Sequence, residues 1–103
     1  MSDMELLEEK ENLEKATNAL KAMAHPLRLK ILCILKDKEL PVFEIVKYVG
    51  SSQSNISQHI DILRVKNIIE SRREGNRILC RVKDANILKL VVNIQAVFCS
   101  EHN

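Results

Sequence analysis

Aromatic side chains are nearly absent: the chain has no Trp, one Tyr (Tyr48) and two Phe (Phe43, Phe98) in 103 residues. So small a set cannot furnish the successive stacking platforms on which single-stranded nucleic acid is held. Glycine is as scarce, limited to Gly50 and Gly75, so no glycine-rich loop is available to cradle a phosphate. No apolar run approaches the ~20 residues that a membrane-crossing helix needs. The N-terminus also lacks the basic-then-apolar order of a secretory signal. A soluble, cytoplasmic protein without a membrane partner is expected. There is no CxxC, and no nucleophile accompanied by a convincing His and acidic partner, so the chain is expected to be no enzyme and to need no cofactor.

What is present is aliphatic and charged. With 46% of its residues hydrophobic, the chain can bury one modest core. No linker, repeat or low-complexity segment divides it, so residues 1–103 are expected to form one domain. The charge is segregated. Residues 1–15 carry six acidic against two basic side chains, a net of −4 in a chain whose total is +2. From Arg64 to Lys83, seven basic residues face Glu70 and Glu74, a local +5. An acidic end and a basic segment of this kind suit a partner rich in phosphate, bound through the second and kept away from the first.

The pattern reads as four helices, a hairpin and a last helix. Leu6, Leu7, Leu13, Ala16, Leu20 and Met23 stripe the first helix, and Pro26 suits the first turn of a second that runs to about Lys36. That second helix is apolar enough to lie at the centre of the core. Pro41 fits the opening turn of a third. Val42, Ile45, Val46 and Val49 then recur at helical spacing, and Gly50 ends the segment. Ser51 or Ser52 can cap a fourth helix whose apolar residues are Ile56, Ile60 and Leu63.

The other face of the fourth helix carries Gln53, Ser54, Ser57, Gln58 and Asp61. A helix facing bulk water is more often rich in Lys and Glu, whereas Ser and Gln are short or flat hydrogen-bonding groups that approach base edges and phosphates. Two short helices about a tight turn, the second so furnished, are how a chain presents a helix to the DNA major groove. Behind it, Glu74, Gly75 and Asn76 mark the reversal between two strands that carry Arg72, Arg73, Arg77 and Arg81. Gln53, Ser54, Ser57, Gln58 and His59 are therefore the candidate groove contacts, and Arg72, Arg73 and Arg77 the candidate phosphate clamp. His59 could instead pack at the rim of the helix interface, and His25 is expected to set up a helix start.

The last helix, from Asp84 to about Cys99, holds Ile87, Leu88, Leu90, Val91, Val92, Ile94, Val97 and Phe98, more apolar circumference than one core contact uses. Its outer face is expected to be covered by a second copy of the chain, giving a homodimer. A two-fold pair would set two recognition helices into successive major grooves of double-stranded operator DNA.

Three stretches together, LKAMAHPLRLKILCILKD (20–37), SSQSNISQHIDILRVKNII (51–69) and SRREGNRILCRV (71–82), resemble the ArsR/SmtB family of winged helix-turn-helix repressors over nearly the whole chain. His25, Pro26, Arg28 and Ile31, with Ser54, Ser57, Gln58, His59 and Leu63, carry the likeness. It implies a mainly α fold with a small β-hairpin, ordered α-α-α-α-β-β-α, dimerised by its first and last helices. It also implies an operator overlapping a promoter and release of DNA on a signal.

Many members of the family sense metals. Near the start of the third helix, where one family site has cysteines, this chain has Glu39, Leu40, Pro41, Val42 and Phe43. At the last-helix site the matching positions are Asp84, Asn86, Val97 and Ser100, a single carboxylate where zinc needs about four donors. No metal ligand set is expected, although Cys99 and His102 lie close together in sequence. Cys33 and Cys99 match the paired thiols of a subgroup typified by the hemolysin regulator HlyU and the biofilm regulator BigR, which respond to oxidants or reactive sulfur. That resemblance implies that Cys33 and Cys99 are redox-sensing thiols controlling operator affinity. Read from the residues alone, Cys33 amid Leu29, Leu32 and Ile34 would equally serve as a small core side chain, as would Cys80. A metal- or other ligand-responsive repressor, and a winged-helix protein-interaction module, are the alternative functions.

Overall fold

The computed structural model describes residues 2–98. Helix α1 spans Asp3–Met23, α2 Pro26–Leu35, α3 Val42–Val49, α4 Gln53–Val65 and α5 Ala85–Phe98. Strands β1 (Leu40–Pro41), β2 (Ile69–Glu74) and β3 (Arg77–Val82) form one antiparallel sheet in the order β1-β3-β2. The predicted order of helices and hairpin is therefore present, with one addition. Leu40 and Pro41 pair with Cys80 and Leu79, so the hairpin has a third strand. Two residues are too few to show a period of two, which is why the sequence pattern does not reveal β1.

Helix ends follow local chemistry. The Ser2 hydroxyl accepts from the Glu5 N–H at 3.2 Å, and the Ser52 hydroxyl from the Asn55 N–H at 3.1 Å. Pro26 occupies the first turn of α2, where its missing N–H costs nothing, while Pro41 stands just before α3 as its cap and not inside its first turn. Asp84 Oδ1 accepts from the Asn86 N–H at 2.6 Å, capping α5. Gly50, at φ 83°, ends α3 in the left-handed region that favours glycine. In the wing, Glu74 pairs with Arg77 across Gly75 and Asn76, and of these two only Gly75 has a positive φ, the pattern of a type II′ turn.

The core gathers on α2. Ile31, Leu32 and Leu35 are fully buried, with Ile45 of α3, Ile56 and Leu63 of α4, Ile68, Ile69, Cys80 and Val91 around them. This places the two-helix unit α3–α4 and the wing on a common support. α1 behaves differently: only Ala22 and Met23 are buried, and Leu6, Leu7, Leu13 and Leu20 each expose more than half their surface. α5 buries Val91 while Leu90, Val92, Val97 and Phe98 stay exposed.

Candidate nucleic-acid interface

Gly50 and the Ser52 cap fix the angle at which α4 leaves the turn, and the side chains of Ile56, Ile60 and Leu63 bury its inner stripe. Gln53, Ser54 and Gln58 are consequently exposed, and Ser57 half-buried, on the outer face. Asn55, between them, is turned back: its Nδ2 donates to the Ser51 hydroxyl at 2.9 Å. Gln53 and Ser57 share a notch of about 250 Å³ with Val42, Phe43, Asn76, Arg77 and Ile78, so the recognition helix and the wing tip meet on one surface.

His59 is oriented differently from its neighbours. Its position relative to Ile56, Ile60 and Leu63 is i+3, i−1 and i−4, which puts it beside the buried stripe. Its ring lies 4.4 Å from that of His25, and Arg28 Nη1 approaches its Nδ1 at 3.2 Å. Burial, followed by the charges of His25 and Arg28, holds the His59 imidazole below its ordinary range. His25 sets the helix start as expected, since its Nδ1 accepts the Leu27 N–H at 3.1 Å and caps α2.

The wing arginines are tied down unequally. Arg72 makes a two-pronged bond to Glu39, with Nε and Nη2 at 2.9 and 2.8 Å from its carboxylate oxygens, and reaches Glu74 at 3.2 Å. Arg77 pairs with Glu74 at 2.9 Å, and Arg81 with Glu70. Donation from Arg72 holds the Glu39 carboxyl below its usual range; Arg77, with Arg72, does the same for Glu74. Arg73, whose Nε donates to the Gly75 carbonyl at 3.3 Å, has no carboxylate partner among the described residues. The sequence reading missed Glu39, which lies 33 residues from Arg72 and reaches it because β1 pairs with β3. Asp61 likewise folds onto Arg64. With these two carboxylates added, seven basic groups meet four acidic ones and the local charge falls from +5 to +3.

The thiols occupy distinct settings. Cys80 is fully buried between the wing and α2, and burial pushes its thiol up, against a weaker pull from the Ser71 hydroxyl at 3.6 Å. Cys33 is half-buried and lines an open cleft of about 600 Å³ with Lys30, Ile34, Lys36, Lys38, Leu40 and Tyr48. Cys99 and His102 lie outside the described residues. Among the described residues no three His, Cys, Asp or Glu side chains converge as metal ligands would, and no helix is long and apolar enough to cross a membrane.

The profile of bacterial regulatory proteins of the arsR family matches residues 25–71, which span α2 through the start of β2. The biofilm growth-associated repressor of Xylella fastidiosa is 33% identical over 96 residues, covering 89% of this chain and 84% of that protein. The structure of reduced HlyU from Vibrio cholerae, a protein named as a transcriptional activator, superposes with a TM-score of 0.84 at 34% identity, covering 89% of this chain and 97% of that one. A homodimeric winged helix-turn-helix DNA-binding domain from Mycobacterium bovis superposes with a TM-score of 0.80 at 28% identity, covering 99% of this chain and 90% of that one.

Proposed function

The chain belongs to the arsR family of bacterial regulatory proteins and is a winged helix-turn-helix transcriptional regulator, and on that footing we propose that it binds operator DNA as a homodimer and answers to the oxidation or persulfidation of its thiols. The observation that carries the reading is the continuous surface on which Gln53, Ser57 and Arg77 meet: a capped helix with small polar side chains, edged by a basic wing. Gln53, Ser54, Ser57 and Gln58 enter the major groove. Arg73 contacts phosphate directly, while Arg72 and Arg77 exchange a carboxylate for a phosphate when the wing docks. His59 stands behind the groove residues, braced by α2. This assigns the protein to duplex DNA in the cytoplasm and to no catalytic reaction.

The dimer reading rests on α1 and α5. Their exposed leucines, valines and phenylalanine form apolar faces that water does not tolerate well in a small monomer, and the similar Mycobacterium bovis domain is a homodimer. The thiol reading rests on Cys33 bordering an accessible cleft whose three lysines draw in anionic reagents, and on Cys99 following Phe98 in the sequence. An acceptor of two electrons would join the two sulfurs with loss of both protons, whereas two equivalents of a sulfane-sulfur donor would leave one sulfur atom between them, the second taking the two electrons and both thiol protons and departing as hydrogen sulfide.

Binding of promoter fragments at low ionic strength under reducing conditions tests the DNA reading. Gln58→Ala is expected to cost about 1–3 kcal/mol at one base pair and little elsewhere. An unchanged sequence preference would remove Gln58 from the groove contacts. For the thiols, modified residues are mapped by mass while operator affinity is followed. Cys33→Ser and Cys99→Ser proteins are expected to keep full affinity in the presence of oxidant or polysulfide; loss equal to that of the unsubstituted chain would refute the switch.

A further inference from the structure

We propose that Arg28, acting with His25 and His59, is a positioning strut that fixes the recognition helix α4 relative to α1 and α2, and that protonation of the two imidazoles releases it. The inference deepens the DNA-binding reading and rests on that reading for its consequence; its chemistry stands independently.

Arg28 is rooted on α2 yet touches two other helices. Its Nε donates to the Ala22 carbonyl in the last turn of α1, and its Nη1 lies 3.2 Å from His59 Nδ1 on α4. A guanidinium only donates, so His59 must offer a lone pair at Nδ1 and carry its proton on Nε2. His25 obeys the same constraint, because its Nδ1 accepts the Leu27 N–H. Both rings are therefore needed in the neutral form with the same tautomer. They lie 4.4 Å apart, tilted by 38°, beside a permanent cation.

Protonation of either ring breaks the bond that its own Nδ1 accepts. An imidazolium at position 59 has no acceptor for Arg28, and one at position 25 has none for the α2 cap. The charges acting on His59 are those of His25 and Arg28 on α2; among the described residues, α1, α3 and β2, which also pack on α4, add no charged group to it. The depressed titration of His59 agrees with the geometry. A folded-state value below the unfolded one, about 6.5, means that the strut's contribution is complete above pH ~6.5 and is lost as pH falls below it.

Long-range proton–nitrogen spectra of the imidazoles, recorded on the full chain from pH 8 to 5, test the strut without DNA. The expected result is a protonated Nε2 on both rings and a His59 midpoint below the ordinary histidine range that rises in Arg28→Gln. A proton on His59 Nδ1, or a midpoint indifferent to Arg28→Gln, would overturn the proposal. A second arm uses a duplex enriched from a random library by the unsubstituted protein at pH 7.5. Between pH 7.5 and 5.5 this protein is expected to lose about thirtyfold in affinity relative to His25→Asn/His59→Gln, which keeps both acceptors but cannot titrate, as two hydrogen bonds of ~1 kcal/mol would give. Parallel pH profiles would refute the release. Should no duplex be enriched, the DNA reading fails and the spectra alone decide the strut.

Discussion

The α2–β3 body and the two flanking helices solve the burial of apolar surface in opposite ways. In the body, Ile31, Leu32, Leu35, Ile45, Ile56 and Leu63 are completely enclosed within one chain. On α1, four leucines of similar size keep more than half their surface exposed. The body thus positions α4 and the wing from within one chain, its core completed by Ala22 and Met23 of α1 and Val91 of α5, whereas the outer faces of α1 and α5 stay exposed. On the proposed dimer reading, the geometry of α4 and the wing is set within a protomer, and the spacing between two such units by the flanking helices.

The largest effect that would sharpen this contrast lies in the body. Leu32→Ala is expected to cost about 2–5 kcal/mol of stability in a denaturant titration, because it empties a fully enclosed site. Leu13→Glu on α1 should leave protomer secondary structure intact and raise the dimer dissociation constant at least tenfold in sedimentation, since a buried leucine contributes ~1.5–3 kcal/mol. An unchanged dissociation constant would place the second copy elsewhere. Smaller still is the wing. Arg73→Gln is expected to weaken binding across all duplexes and lower the salt slope by ~1, while Arg72→Gln, which also releases Glu39, has the larger consequence of the two. A salt slope for Arg72→Gln equal to that of the unsubstituted chain would show that Arg72 does not exchange partners.

The smallest effect is a pH dependence in the sheet. Glu39 and Glu74 are held below their ordinary values by arginines, so what they add to stability is present above the unfolded carboxylate range and is lost as pH falls through the lowered folded values. Protection of the Leu40 amide, the one N–H in β1, relative to its intrinsic exchange rate should fall on acidification in the unsubstituted chain and less so in Glu39→Gln. The same loss of protection in both would mean that the Arg72–Glu39 pair does not secure β1.

Local signals make much of this fold legible in the sequence. Gly50, Ser52, Pro26 and the Gly75–Asn76 reversal act within a few residues of themselves, so their roles as terminators, caps and turns follow from conformational preference. Long-range pairing does not follow. β1 is too short to carry a pattern, and with it go the Glu39–Arg72 bond and the reduced charge of the wing. His59 is readable in principle, since it flanks the stripe of Ile56, Ile60 and Leu63, but its polarity groups it with the open face. The bracing by Arg28 depends on where α1 ends relative to α4, which no spacing within one helix encodes.

Hydroxyl-radical footprinting of a promoter fragment with the reduced protein tests the central claim most directly, because it reads DNA contact and two-fold spacing at once. Two protected patches with centres about 34 Å apart along the duplex, weakened together by Leu13→Glu, are the predicted result. A fragment left uniformly cleaved at low ionic strength, or one protected over a single patch that Leu13→Glu does not alter, would contradict the account.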